Sequence, residues 1–440
     1  MAVENARCVR GMLDDVYRDF ADPDGNFLEQ FQTNGFDSRF FELYLFAYFS
    51  RSGYDVDRSH PNPDFLVTRG GLTVAVEATT VNPPSDGVLK SHGKTIASLS
   101  PAELREYTRN ELAIRFGSPL FSKLQKRYWE REYCRDLPFV IAIEAFHDSD
   151  SLTLSDSSLM SYVYGLTTSG SWSEDAALNV TAESLEKHTV GPKTIPSNFF
   201  ALPDAEHVSA IVFTNSGTHA KFSRMGYQHG IECDEIEMTR FGLCYSPHPD
   251  AMDPTFFSYN LDEPPFVEPW GQGLVVMHNP RCRHPLPLDY FVDAVQAKME
   301  AGKLVTEHHA WSPFSSTTVT LYFDGAKKEL AEHFPKRKPL VSVSPITRDE
   351  FRRACRNVEY RVPFGQEHGW FSDASESFLG VIVHDAEDDD WAYVVLARDQ
   401  YFDFRAIETK SSMPFRDMAR DALQLQIAEL LSSPQRIFPQ

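Results

Sequence analysis

The sequence predicts an α/β protein on three observations. The stretch RFFELYLFAYFSRS, Arg39 to Ser52, is apolar nearly all round, as expected of a helix buried on most faces. Runs of β-branched and aromatic residues follow, the last two separated by Gly70-Gly71 as in a tight hairpin. Two segments with helix-start signals then lead into the apolar run Pro138–Phe146. The predicted order is helix, β-hairpin unit, helices, strand.

In order along the chain, Asp37 or Ser38 is a candidate N-cap, and Gly53 sits where a helix-ending glycine belongs. Strands are expected at 54–56, 64–68 and 72–79. Ser100-Pro101-Ala102-Glu103 has the spacing of a capping box with proline at the first helical position. Gly117 is expected to end that helix and Ser118-Pro119 to begin another, with Leu120, Leu124 and Tyr128 on one stripe. These elements place a first domain over 1–150. A middle α/β region, 151–340, carries expected strands at 208–213 and 273–277 and a helix at 288–301. A small C-terminal α+β domain, 341–440, carries strands at 378–384, 392–397 and 402–407 and a helix at 413–432. The run Glu387-Asp388-Asp389-Asp390 reads as a solvated hairpin tip.

Composition narrows the function classes. Of 440 residues 42% are hydrophobic and 13% aromatic, enough for two or three buried cores. No apolar run approaches the ~18–20 residues that span a bilayer, and MAVENARCVRGMLDD lacks the basic-then-apolar build of a secretion signal, so a cytoplasmic protein is expected. The six cysteines form no CxxC pair and are expected as free thiols. His278, Cys282 and His284 are metal-ligand types, but without paired spacing the segment reads as a Pro-rich loop. A net charge of −21 excludes a passive nucleic-acid coat, which needs a Lys/Arg surface. Residues 101–135 run against it, with eight Arg/Lys and five Glu, as a local basic track or a solvated helix face would. Thr214-Asn215-Ser216-Gly217-Thr218-His219 lacks P-loop spacing and reads as a turn.

Three acids carry the chemistry. Glu42 is the one carboxylate between Arg39 and Ser52, and a buried carboxylate must be paired, hydrogen-bonded or metal-bound. Asp64 opens a strand after Asn62-Pro63. Glu77 shares a strand face with Ala75 and Thr79, and a hairpin brings it beside Asp64. Carboxylates gathered at one point repel unless a hard cation lies among them.

Glu42 in a leading helix, Asn62-Pro63-Asp64 opening a strand and Glu77-Ala78-Thr79 ending the hairpin resemble the PD-(D/E)XK nuclease superfamily over about 36–146. The resemblance implies a restriction-endonuclease-like N-terminal module with additional α+β regions. It also implies magnesium or manganese bound by Glu42, Asp64 and Glu77. Thr79 stands where the family has a water-orienting lysine, and Lys123, Gln125 or Lys126 on the following helix would supply that role. The implied activity is hydrolysis of DNA phosphodiester bonds by an endonuclease, in restriction or phage defence. Nucleic acid would be the partner, DNA ahead of RNA, with a protein partner or homodimer and no membrane. The alternative is a degenerate module that grips nucleic acid or a protein without cutting. Two others stay open: an ordinary α/β domain whose Glu42 pairs with Arg39, and a small-molecule hydrolase in the middle region.

Overall fold

The computed structural model describes residues 7–22, 25–33, 35–83, 98–148, 150–153, 156–172, 178–231, 236–245, 254–262, 267–309, 312–322, 344–354, 365–373, 377–385, 390–398 and 404–413, with positions 419, 423, 426 and 427. The chain is mixed α/β and divides into two compact units, Met1–Cys233 with Glu268–Ser316, and Asp234–Val267 with Thr317–Gln440.

The first unit is built on one eight-stranded sheet whose spatial order follows the chain: β1 (Asp55–Asp57), β2 (Phe65–Arg69), β3 (Leu72–Val81), β4 (Phe139–Ala145), β5 (Val208–Thr214), β6 (Val275–His278), β7 (Val295–Glu300) and β8 (Lys303–Glu307). The pairs β3/β4, β4/β5 and β6/β7 are parallel and the rest antiparallel. Gly70 and Gly71 take φ of 60° and 81°, which a two-residue turn between twisted antiparallel strands demands. The sheet continues past residue 150 into β5–β8, so residues 1–150 supply its first half.

Alternate residues of the central strands feed two cores. After α1 (Arg7–Asp19) and α2 (Phe27–Phe31) comes α3 (Phe36–Arg51), whose run Phe40–Phe49 is buried throughout over Val76, Ala78, Val140 and Val212. Ala75, Ile141, Ile143 and Phe213 pack under α5 (Leu112–Gln125). This is the period of two expected of strands covered on both faces.

Four local expectations need correction. First, α3 starts after Gly35, so Asp37 and Ser38 lie within its first turn. Second, Gly117 and Pro119 do not divide two helices. Ser100 caps α4 (Pro101–Glu106), a π-helical turn covers Tyr107–Glu111, and α5 runs unbroken through both residues. Gly117 serves close packing instead: a Cβ there would lie 2.6 Å from Ile195 and 3.0 Å from the Tyr162 hydroxyl of α6 (Ser157–Tyr164). Third, the helix expected over 288–301 is absent, because Val295 and Ala297 alternate into the α5-side core as β7 while Tyr290 and Phe291 reach the opposite core. Fourth, Cys8 is disulfide-bonded, with its partner outside the described residues; Cys134, Cys244 and Cys282 are free. The helix that carries Cys8 packs closely on α7 (His219–Gln228): a Cβ on Gly226 would lie 2.5 Å from the Cys8 carbonyl oxygen.

The second unit contains the hairpin Ile236–Cys244/Thr255–Asn260 and a five-stranded antiparallel sheet, 344–346, 365–372, 378–385, 390–398 and 404–413. Phe351, on the helix Arg348–Ala354, packs on one face of that sheet, and Ala419, Leu423 and Ile427 on the other. Most of the helix expected over 413–432, and Glu387–Asp389 of the acidic run, lie outside the described residues.

Candidate active site

The site lies where β2 begins beside the middle of β3. Glu42 rises from α3, which covers the sheet face opposite Glu77. Its only near neighbour in sequence able to neutralise it is Arg39, one turn back. Arg39 Nη1 donates to both Glu42 oxygens at 2.8 Å, while Arg39 Nε and Nη2 donate to Gln30 Oε1 at 2.9 and 2.6 Å. Arg58 Nη2 lies 3.6 Å from Glu42 Oε2, and its guanidinium stacks 3.7 Å over the Phe20 ring. The Glu42 carboxyl is nonetheless pushed up to about 7, by burial first and then by the charge of Asp64, against the pull of Arg39 and Arg58.

Asp64 follows the cis Asn62–Pro63 peptide and is knitted to β3 through the main chain. Ala78 N–H donates to Asp64 Oδ2 at 2.7 Å, and Asp64 N–H donates to Glu77 Oε2 at 3.2 Å. Glu77 points toward α5, where Lys123 Nζ sits 2.5 Å from its Oε1 with the lysine side chain 25% exposed. The Tyr128 hydroxyl hydrogen-bonds the same carboxyl, which is pushed up to about 7 by burial and by Asp64, against Lys123. Asp64 is therefore the shared neighbour whose charge raises both glutamates.

Of the residues singled out from sequence, Asp64, Glu77 and Lys123 come together, while Glu42, from the opposite face of the sheet, meets the group through the charge of Asp64 and not beside Glu77 or Lys123. Thr79 is half-buried on β3, two residues beyond Glu77 and in register with Ile143. Lys126 and Gln125 end α5 with exposed side chains. Arg58 and Tyr128 complete the cluster. Tyr128 belongs to the Leu120–Leu124 stripe, so its position was legible but not its bond; Arg58, in a loop, gave no signal.

Three acids thus face three cations, Arg39, Arg58 and Lys123. Among the described residues no group of three or more His, Cys, Asp or Glu side chains is arranged to hold a metal ion. The donor chemistry of one pair does suit a hard divalent cation. Asp64 and Glu77 are adjacent carboxylates whose mutual repulsion a cation would relieve. Both oxygens of Glu42 are occupied by Arg39 instead.

A second acid went unnoticed in the sequence. Glu144 lies in β4 in register with Thr80 and Thr214, on the α3 face, and is fully buried. Its Oε1 accepts from Gly217 N–H at 2.8 Å, its Oε2 has no hydrogen-bond partner, and burial holds the carboxyl well above the usual range. A lone acid in the run FVIAIEAF is the same signal that marked Glu42. The turn Thr214–Thr218 wraps this carboxyl, and Thr218 caps α7 by accepting from Lys221 N–H at 3.2 Å. His278 Nε2 donates to Gln296 Oε1 at 2.8 Å, and its loop is built on Asn279, which donates to the Ala205 and Val208 carbonyls.

No protein-family model, curated protein or solved structure matches the chain. Among the described residues no helix is long and apolar enough to cross a membrane.

Proposed function

We propose that the chain is a metal-dependent phosphodiesterase acting on nucleic acid, DNA ahead of RNA, with a divergent PD-(D/E)XK-like centre at Asp64, Glu77 and Lys123. The observation that carries the reading is Lys123 Nζ, 2.5 Å from Glu77 and supplied by α5 rather than by the strand position that Thr79 holds. In this reading Asp64 and Glu77 hold magnesium or manganese, which when bound acidifies water and stabilises charge on phosphate oxygens. Lys123, partly exposed and already at the carboxylate, orients the attacking water or contacts the scissile phosphate. Tyr128 fixes the Glu77 carboxyl from the other side. Arg39 and Arg58 keep Glu42 charge-balanced, and with both its oxygens held by Arg39 it is not offered as a ligand. Purified protein incubated with plasmid, linear and single-stranded DNA and with RNA tests this: magnesium or manganese should support cleavage and EDTA abolish it. Intact substrate under every condition would contradict it.

The clamp on Glu42 favours a second reading, a non-catalytic module that binds nucleic acid or a protein. It predicts retained binding with no cleavage under any metal.

A further inference from the structure

One rim of the candidate site is aromatic and basic. The His60 and Tyr133 rings stack with centroids 3.8 Å apart and planes 6° from parallel. Both are half-buried, so the pair is not sealed in a core. It is tied to the carboxylates from both ends. Tyr133 Oη donates to the Asn62 carbonyl at 2.6 Å, two residues before Asp64, and Arg131 Nη1 lies 3.4 Å from the same phenol. The Arg131 guanidinium also sits 5.4 Å over the ring of Tyr128, which hydrogen-bonds Glu77. Arg131 and Lys126 are exposed, and Lys123 is partly so.

Aromatic faces interleaved with cations, beside a centre that would act on a phosphate, form the combination that holds unpaired nucleotides. The cations track the backbone, and a ring face accepts any base. A base within a duplex is stacked on both faces and offers neither to a ring. The proposed centre needs a phosphodiester at Asp64 and Glu77, which leaves a neighbouring base near residue 60. Resting on that reading of the site, we infer that His60, backed by Tyr133, is a stacking platform for an unpaired base next to the scissile phosphate. The preferred substrate is accordingly single-stranded or frayed. Tyr133 is a positioning residue: it fixes the imidazole plane and ties it to the Asn62–Asp64 segment.

The test separates stacking from catalysis by measuring binding in EDTA. Fluorescence anisotropy compares a labelled thymidine oligonucleotide with an abasic oligonucleotide of equal length, for wild type, His60→Ala and His60→Phe. Wild type should prefer the thymidine strand about ten-fold, within the range that base–aromatic stacking supplies. His60→Ala should lose most of that preference while binding the abasic strand as wild type does, and His60→Phe should restore it. A wild type indifferent to the bases, or a His60→Ala variant that keeps the full preference, would overturn the inference. Magnesium-supported cleavage of the same strands is scored separately. A preference that depends on His60 without any cleavage would sink the hydrolytic reading alone; cleavage with no such preference would sink the stacking platform alone.

Discussion

Glu77 and Glu144 sit on neighbouring strands of one sheet, both buried and both with carboxyls pushed above the usual range, yet their surroundings differ in kind. Glu77 has a second carboxylate, Asp64, a cation, Lys123, and a phenol, Tyr128, against it. Glu144 has one main-chain N–H from Gly217 and nothing on its other oxygen. A raised carboxyl alone therefore does not mark a site, since burial suffices to produce it. What distinguishes Glu77 is a cluster of opposed charges reachable from solvent through Lys123, which is a centre a cation and a phosphate can remodel. Glu144 reads as a buried acid that fastens the β5–α7 turn through Gly217 N–H.

The largest expected effect tests the Glu77 side of that contrast. Lys123→Met keeps the aliphatic stem and removes the ammonium, so metal-supported cleavage should fall about 100-fold or more, in the range of a lost proton-handling or phosphate contact. Lys126→Met should change it less than about threefold, because that side chain is exposed at the helix end. Equal losses for the two would dissolve the distinction between them.

Next is a stability effect on the other side. Gly217 packs against Glu144 Oε2 so closely that a Cβ has no room, and Glu144 is held by the sheet on both sides. Gly217→Ala should destabilise the first unit by about 1–3 kcal/mol in denaturant melts, the usual cost of overpacking, without altering cleavage per folded molecule. A neutral result would mean the turn is looser than its contacts indicate.

The smallest effect carries a sign. The folded pKa of Glu144 is raised above the unfolded value of 4.5, so the folded state binds the extra proton between the two. Its favourable contribution is complete below the unfolded pKa and is lost as pH rises toward the folded one. Glu144→Gln keeps an acceptor for Gly217 N–H and never ionises. Relative to wild type it should melt at a similar temperature at pH 4 and at a higher one at pH 8. A variant destabilised at pH 8 would mean the ionised carboxylate has a partner.

How much of this was legible follows from what each residue answers to. α3, the hairpin and β4–β6 were readable because their apolar pattern and punctuation are local: Gly53, Gly70-Gly71 and the Ser100–Glu103 cap each act within a few residues. Gly117, Pro119 and the 288–301 segment misled because tertiary packing decided them; Tyr162 and Ile195 explain the glycine, and pairing between β6 and β8 explains the strand. In the site, Glu42, Asp64 and Glu77 stood out as acids in apolar or turn settings, and Lys123 as a cation on the following helix. Arg58 was not legible, because its role depends on a loop passing over Phe20 toward Glu42. Arg39 was visible as a partner for Glu42, and geometry made that pairing real.

The most direct test of the account is one variant measured in two ways. Glu77→Gln preserves shape and removes a charge that Asp64 opposes and Lys123 only partly compensates. In metal-free buffer at pH 8 its melting temperature should equal or exceed that of wild type, since crowded carboxylates disfavour ionisation. With magnesium or manganese its cleavage should fall by about three orders of magnitude. A Glu77→Gln protein that loses about 3–5 kcal/mol of stability, as removal of one partner from a buried structural ion pair would cause, or one that cleaves as wild type does, would contradict the assignment of Glu77 to a catalytic centre.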